Sequence, residues 1–230
     1  MTKPLLILDL DGTLIGTGSP PLPRPGLQKF LKYAFDHFEV ALWTAAGESW
    51  LQYAMDSVLG DFLSSIDQCF IFMIYQTRKN KHHIKPLNYV WDRFPTYNVN
   101  NTLIVDNNPK TYSHNPSSAI FIPTFSDNIN DIMLDFLRFH LMDCLKYYHK
   151  EHKFPMLIDP EFEYPGGPDG EHVSYDSFQI GALVKLTKSS KTTETDLESK
   201  TPNIRKSERK RRRSRRKSHR TTKISHINPY

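Results

Sequence analysis

The stretch Pro4-Leu5-Leu6-Ile7-Leu8-Asp9-Leu10-Asp11-Gly12-Thr13-Leu14-Ile15 constrains this chain more than any other. Leu and Ile follow one another there without polar alternation. That is the pattern of a strand buried on both faces, and such strands belong mainly to parallel sheets sandwiched between helices. The run ends in two aspartates one residue apart, at the carboxyl edge where open α/β sheets bind ligands. Alternation at a strand tip would send Asp9 and Asp11 to one side, so that two carboxylates share a small volume. Like charges that close need a cation between them, and oxygen donors suit Mg²⁺. The bland alternative is a strand end followed by a Gly turn with local aspartate capping.

The rest of the chain continues the α/β rhythm. Ser19-Pro20-Pro21-Leu22-Pro23-Arg24-Pro25-Gly26 is a stiff loop, and Pro25 can start a helix carrying Leu27, Phe30, Leu31, Ala34 and Phe35 to about His37. Glu39 to Trp43 reads as the second buried strand, which makes the first unit a parallel crossover. It runs into Thr44-Ala45-Ala46-Gly47 and a helix with Trp50, Leu51, Ala54, Met55 and Val58. A hydroxyl between a strand tip and a helix start suits an anion, and a plain N-cap is the alternative for Thr44. Ile66 to Tyr75 is strand-like and reads as a small β insertion, followed by the polar cluster Gln76 to His83. A helix is expected from Pro86 to Arg93, a strand at Thr102–Val105, a short strand at Ala119–Ile122 and a long amphipathic helix from Asn128 to Tyr148. The fold class is thus α/β, a doubly wound parallel sheet without a large cap.

Charge divides the chain. Residues 1–184 carry 14 Lys and Arg against 21 Asp and Glu, a net of −7, whereas residues 185–230 carry 16 against 4, a net of +12. The body therefore offers no nucleic-acid-binding surface, and the basicity belongs to the tail. Two cysteines, Cys69 and Cys144, argue for a reducing compartment and a core role. No apolar run reaches the roughly 18 residues of a membrane span, and a strand beginning at Lys3 leaves no room for a leader peptide. The expected organisation is a domain over residues 1–153, a Pro/Gly-rich linker over 154–184 and a disordered basic tail over 185–230. Arg205 to Lys217 fits a nuclear-import signal or a nucleic-acid-binding arm, with a solvated charged tail as the alternative.

Asp9-Leu10-Asp11-Gly12-Thr13 resembles the first motif of the haloacid dehalogenase superfamily of phosphohydrolases. In that family the first aspartate attacks phosphorus, and the second protonates the leaving group and then activates water. The resemblance assigns these roles to Asp9 and Asp11, with Thr13 orienting Asp11. Trp43-Thr44-Ala45-Ala46 is similar to the second motif, in which the hydroxyl holds the phosphate. Lys85 before Pro86-Leu87 resembles the third, whose ammonium pairs with nucleophile and phosphate. Asp106-Asn107-Asn108-Pro109 resembles the fourth motif in the FCP-homology branch, which dephosphorylates the RNA polymerase II C-terminal domain. Asp106 and Asn107 would then join Asp9 and Asp11 in holding Mg²⁺. Within the branch, Ile84 to Asp106 is most similar to members that bear a ubiquitin-like domain. The resemblance covers about residues 3–150. No ubiquitin-like domain precedes Asp9, no BRCT domain follows, and Gly12 stands where the branch most commonly has Glu.

Asp9 to Thr44 is 35 residues and Thr44 to Lys85 is 41, too few for an inserted cap domain. An open site suits a macromolecular substrate that itself excludes water. The reading is a Mg²⁺-dependent Ser/Thr phosphoprotein phosphatase, monomeric and nuclear, with Arg78, Lys79 and Lys81 as candidate contacts for neighbouring phosphate or acidic groups. A small-molecule phosphatase and a non-catalytic binding member of the family are the alternatives.

Overall fold

The computed structural model describes residues 3–77, 83–157 and 178–181, the last four by their backbone. All belong to the unit Met1–Lys188, and the unit Ser189–Tyr230 lies outside the described residues. The elements in chain order are β1 (Leu5–Leu8), α1 (Leu27–His37), β2 (Glu39–Trp43), α2 (Glu48–Ala54) and α3 (Gly60–Ile66). There follow β3 (Met73–Gln76), α4 (Asn88–Trp91), β4 (Thr102–Asp106), β5 (Ala119–Phe121), α5 (Met133–Glu151) and β6 (Phe178–Gly181). One sheet has the order β5-β4-β1-β2-β3-β6. Its first five members pair in parallel, and β6 closes one edge antiparallel to β3.

The apolar run of β1 is central because both of its faces are covered. Leu6 and Leu8 enter the core beneath α1, α3 and α5, while Leu5 and Ile7 enter a second core with Trp43, Tyr89 and Ile104. All four are fully buried, each contributing about 1.5–3 kcal/mol by leaving water. Helix α1 lays Leu27, Phe30, Leu31, Ala34 and Phe35 on the first of these cores. It starts one residue after Gly26, whose φ of 81° no proline could share, so Pro25 stands before the helix and not within it.

Five expectations change. The stretch read as a β insertion belongs to the central sheet: its strand, Met73–Gln76, pairs in parallel with β2 through Leu42↔Met73 and Trp43↔Ile74. Helices α2 and α3 are joined through a π-helical turn, Met55–Leu59, so the segment after Thr44 is helical as far as Ile66. Helix α5 begins at Met133 and not Asn128, because Asn128 and Asp131 side chains accept the N–H groups of Asn130 and Met133 and hold the chain in turns. Helix α4 is likewise confined to Asn88–Trp91 within the span expected from Pro86 to Arg93. Strand β6 falls in the stretch read as linker. Among the described residues no helix is long and apolar enough to cross a membrane.

Candidate active site

The parallel register brings the ends of β1, β2, β3 and β4 to one edge. Asp9 extends the ladder one residue past β1, its N–H donating to the Val105 carbonyl at 2.9 Å. Asp106 ends the adjacent β4. Between them sits Lys85, 1% exposed, whose Nζ donates to Asp9 Oδ1 at 2.6 Å and to Asp106 Oδ2 at 2.7 Å. Lys85 is held by a long-range backbone contact, its N–H meeting the Thr111 carbonyl. Asp106 is fixed from the other side by the Asn108 N–H on its Oδ1 at 2.8 Å.

Two carboxylates around one ammonium leave the cluster one negative charge in excess. Burial pushes the Asp9 carboxyl up to about 7, the Lys85 charge opposing and the Asp106 charge adding to the effect. Burial works against the Lys85 ammonium too, but Asp106 and Asp9 outweigh it and hold its pKa above the ordinary lysine range. Lys85 is therefore charged.

Asp11 has different company. Beyond Leu8 the chain leaves the strand, and Gly12 takes φ 75°, so a turn and not strand alternation places Asp11. Thr44 Oγ1 donates to Asp11 Oδ2 at 3.0 Å, and the Trp50 indole Nε1 donates to Asp11 Oδ1 at 2.6 Å. Thr44 Oγ1 in turn accepts the Ala46 N–H at 2.9 Å. Thr13, expected to orient Asp11, is fully buried between Asn107, whose Oδ1 lies 3.4 Å from its hydroxyl, and Asp9, and its one hydroxyl proton can serve either. Asn107 Nδ2 donates to Thr124 Oγ1 at 2.9 Å. Gly12 packs against this pair: a Cβ there would stand 2.6 Å from Asn107 Nδ2.

Asp9, Lys85, Asp106, Thr13 and Asn107 thus form one connected group, and Asp11, Thr44 and Trp50 a second beside it. Arg78, Lys79 and Lys81 lie outside the described residues. Among the described residues no cluster of three or more His, Cys, Asp or Glu side chains could hold a metal ion. The site nevertheless fits Mg²⁺, which is commonly held by one or two carboxylates plus water and substrate oxygens. Asp9 and Asp106 would supply the carboxylates and Asn107 a neutral oxygen, whereas Asp11, expected among the ligands, has its two carboxylate oxygens on Thr44 and Trp50.

Two residues of the site had no motif to announce them. Trp50 reads as part of an apolar helix face, and only the rule that a buried indole N–H seeks an acceptor pointed further. Arg24, 1% exposed, lies in the Pro-rich loop. It grips Asp131 with Nε and a terminal nitrogen at 2.9 Å each, donates to the Thr13 and Pro123 carbonyls, and stacks over Phe125. Phe125 N–H closes the circuit on the Gly12 carbonyl at 2.7 Å. The loop after Asp11 is therefore clamped to the loop after β5 and to the start of α5.

A parallel sheet of this order with paired carboxylates at its carboxyl edge is the arrangement expected from the resemblance to haloacid dehalogenase-like phosphatases. The chain belongs to the NLI interacting factor-like phosphatase family, whose sequence model matches residues 4–155. It is 28% identical over 135 residues to ubiquitin-like domain-containing CTD phosphatase 1 of Drosophila melanogaster and 29% identical over 136 residues to that of Xenopus tropicalis. Each match covers 54% of this chain and 42% of the relative, so the similarity spans less than half the length of these relatives. Among solved structures, Fcp1, described as an essential RNA polymerase II CTD phosphatase, has a TM-score of 0.52 at 12% identity, over 67% of this chain and 68% of that one. At this identity the likeness speaks for the fold alone.

Proposed function

We propose that the chain is a Mg²⁺-dependent phosphoprotein Ser/Thr phosphatase that works through an aspartyl-phosphate on Asp9. The observation that carries the reading is Lys85, buried and bridging Asp9 and Asp106. The reaction runs as two displacements. An Asp9 carboxylate oxygen attacks phosphorus while the departing serine oxygen takes the Asp11 proton. Water then attacks phosphorus, gives its proton to Asp11 and frees Asp9 and inorganic phosphate. Lys85 neutralises part of the charge on Asp9 and the incoming phosphate. Trp50 and Thr44 hold Asp11 so that it meets the leaving oxygen, and Thr44 would serve the phosphate by turning its single hydroxyl proton from Asp11. Asp9, Asp106 and Asn107 would hold Mg²⁺, which when bound supplies charge neutralisation to the phosphoryl oxygens.

The substrate class is supported by the lack, among the described residues, of a domain inserted between Asp9 and Thr44 to cover the site. The matched relatives are named CTD phosphatases, and a phosphoserine peptide of the RNA polymerase II C-terminal domain is the first substrate to test. Asp9→Asn is expected to abolish turnover of p-nitrophenyl phosphate and of phosphoserine peptides, and excess EDTA to abolish it in the wild type. Full activity in either case overturns the mechanism. Higher kcat/KM on free metabolites than on peptides would move the reading to a small-molecule phosphatase, and phosphopeptide binding without hydrolysis to a binding module.

Residues 1–153, completed by β6 at Phe178–Gly181, are proposed as the phosphatase domain and residues 205–217 as a nuclear address. Deleting residues 188–230 should move the protein to the cytoplasm while leaving kcat on a small ester unchanged. Unchanged localisation rules the address out, and salt-sensitive binding of the intact chain to nucleic acid would make the tail an arm as well.

A further inference from the structure

Beside the second group of site residues lies a cavity of about 380 Å³ lined by Gly47, Glu48, Ser49, Trp50, Tyr75 and Thr77, with Gln76 at its wall. It occupies the same carboxyl edge as the catalytic group. Gln76 N–H donates to the Ala46 carbonyl and Thr44 N–H to the Ile74 carbonyl, which ties the end of β3 to the Thr44 turn. Trp50 belongs to both places, since its indole N–H is spent on Asp11 while its ring walls the cavity. A substrate whose phosphate reached Asp9 would therefore lay a neighbouring residue here.

The chemistry of the lining is specific. Glu48 is exposed and brings the one charged side chain among the described lining residues. Tyr75 is buried, and the Glu48 carboxylate lies near enough to act on its phenol. Burial first, and then the Glu48 carboxylate, hold the Tyr75 pKa above the ordinary phenol range. Two aromatic rings and a carboxylate in one cavity suit an alkyl chain ending in a cation, which gains from both the ring faces and the charge. The acidic body of the chain, net −7 over residues 1–184, adds a long-range field of the same sign.

We propose that this cavity is a specificity subsite that takes a lysine or arginine side chain flanking the phosphorylated serine of the substrate. The proposal rests on the phosphatase reading and deepens it by naming a sequence class, a phosphoserine with a basic neighbour.

The test uses the full chain with Mg²⁺ and a set of phosphoserine peptides carrying Lys, Ala, Glu or Pro at each position from −3 to +3. Rates are scaled to p-nitrophenyl phosphate, which is too small to span the phosphate site and the cavity. At one position Lys should exceed Ala by about fivefold in kcat/KM and Glu should fall below Ala. Glu48→Gln should flatten that preference, and Glu48→Lys should invert it. No preference for Lys in the wild type, or one that survives Glu48→Gln, overturns the subsite. A preference for Pro at that position independent of Glu48 also overturns it, since the cavity would then be read by its rings alone. If the wild type hydrolyses p-nitrophenyl phosphate but shows no such preference, the subsite falls and the phosphatase reading stands. If it hydrolyses nothing, fluorescence anisotropy with the same peptides reads the cavity directly, and equal affinity for Lys and Ala peptides overturns the subsite there too.

Discussion

The indole N–H of Trp50 donates to Asp11 Oδ1 at 2.6 Å, and this contact joins helix α2 to the loop that follows β1. Thr44 takes the other carboxylate oxygen at 3.0 Å. Together the two donors set the direction in which Asp11 can exchange a proton. Trp50→Phe keeps a ring in place and removes one charge-assisted bond, an interaction of about 1.5–3 kcal/mol. The expected result is a fall in kcat of about ten- to a hundredfold with little change in KM for p-nitrophenyl phosphate. A change confined to KM would mean that Trp50 serves only the wall of the neighbouring cavity.

Asp9 makes the metal-free protein sensitive to pH. Burial, with Asp106, lifts its pKa from 3.8 to about 7 against the pull of Lys85, so the fold favours the protonated acid. The resulting stability is present in full below the ordinary carboxylate range and is lost as pH rises through about 7. In EDTA, Asp9→Asn should melt several degrees above the wild type at pH 8, with the gap closing at pH 5. Mg²⁺ should restore the wild type at pH 8 and do less for the variant. Equal melting of the two proteins at pH 8 without metal would show that Lys85 alone satisfies Asp9.

Arg24 and Asp131 form a buried bidentate pair that spans 107 residues of sequence. Burial tends to raise the Asp131 pKa, but the Arg24 hydrogen bond and charge and the Met133 N–H outweigh it and hold it below the usual carboxylate value. That contribution is present above the ordinary aspartate range and is lost as pH falls through the lowered value. Arg24→Met leaves Asp131, with a side chain 13% exposed, unpaired. A loss of about 3 kcal/mol is expected, or roughly 6–12 °C in Tm for a domain of this size. Thermal melts from pH 3 to 8 check both points, since the variant should lose less than the wild type on acidification. Arg24→Lys should recover only part of the loss, because an ammonium cannot repeat the fork.

Gly12 carries a residue-specific prediction. Its φ of 75° and the 2.6 Å approach of Asn107 Nδ2 to an ideal Cβ leave no room for the glutamate commonest in the branch. Gly12→Glu should cost about 1–2 kcal/mol for the left-handed backbone and displace Asn107 from Thr13 and Thr124. The measurement is the Mg²⁺ concentration for half-maximal activity, which should rise, beside a melting curve that falls. An unchanged Mg²⁺ requirement would show that Asn107 stands apart from the cation.

The sequence by itself determined the sheet and the chemistry of its edge. Continuous apolar runs at Leu5–Leu8, Val40–Trp43 and Leu103–Val105 can be buried only between two layers, and Asp9 and Asp106 follow two of them directly. Local pattern is enough for that, because strand burial and strand ends are properties of neighbouring residues. The parallel place of Met73–Gln76 was not legible, since a short apolar strand reads alike in an insertion and in a central sheet. Phe178–Gly181 was hidden for the same reason, four residues being too few to show a period. Lys85 rested on resemblance until the structure brought it within 2.7 Å of carboxylates that lie 76 and 21 residues away in sequence. Trp50 on Asp11 and Arg24 on Thr13, Pro123 and Asp131 were decided by tertiary structure alone. An indole or guanidinium meets its partner through the packing of whole elements, and no spacing in the chain records where a helix face or a proline-rich loop will come to rest.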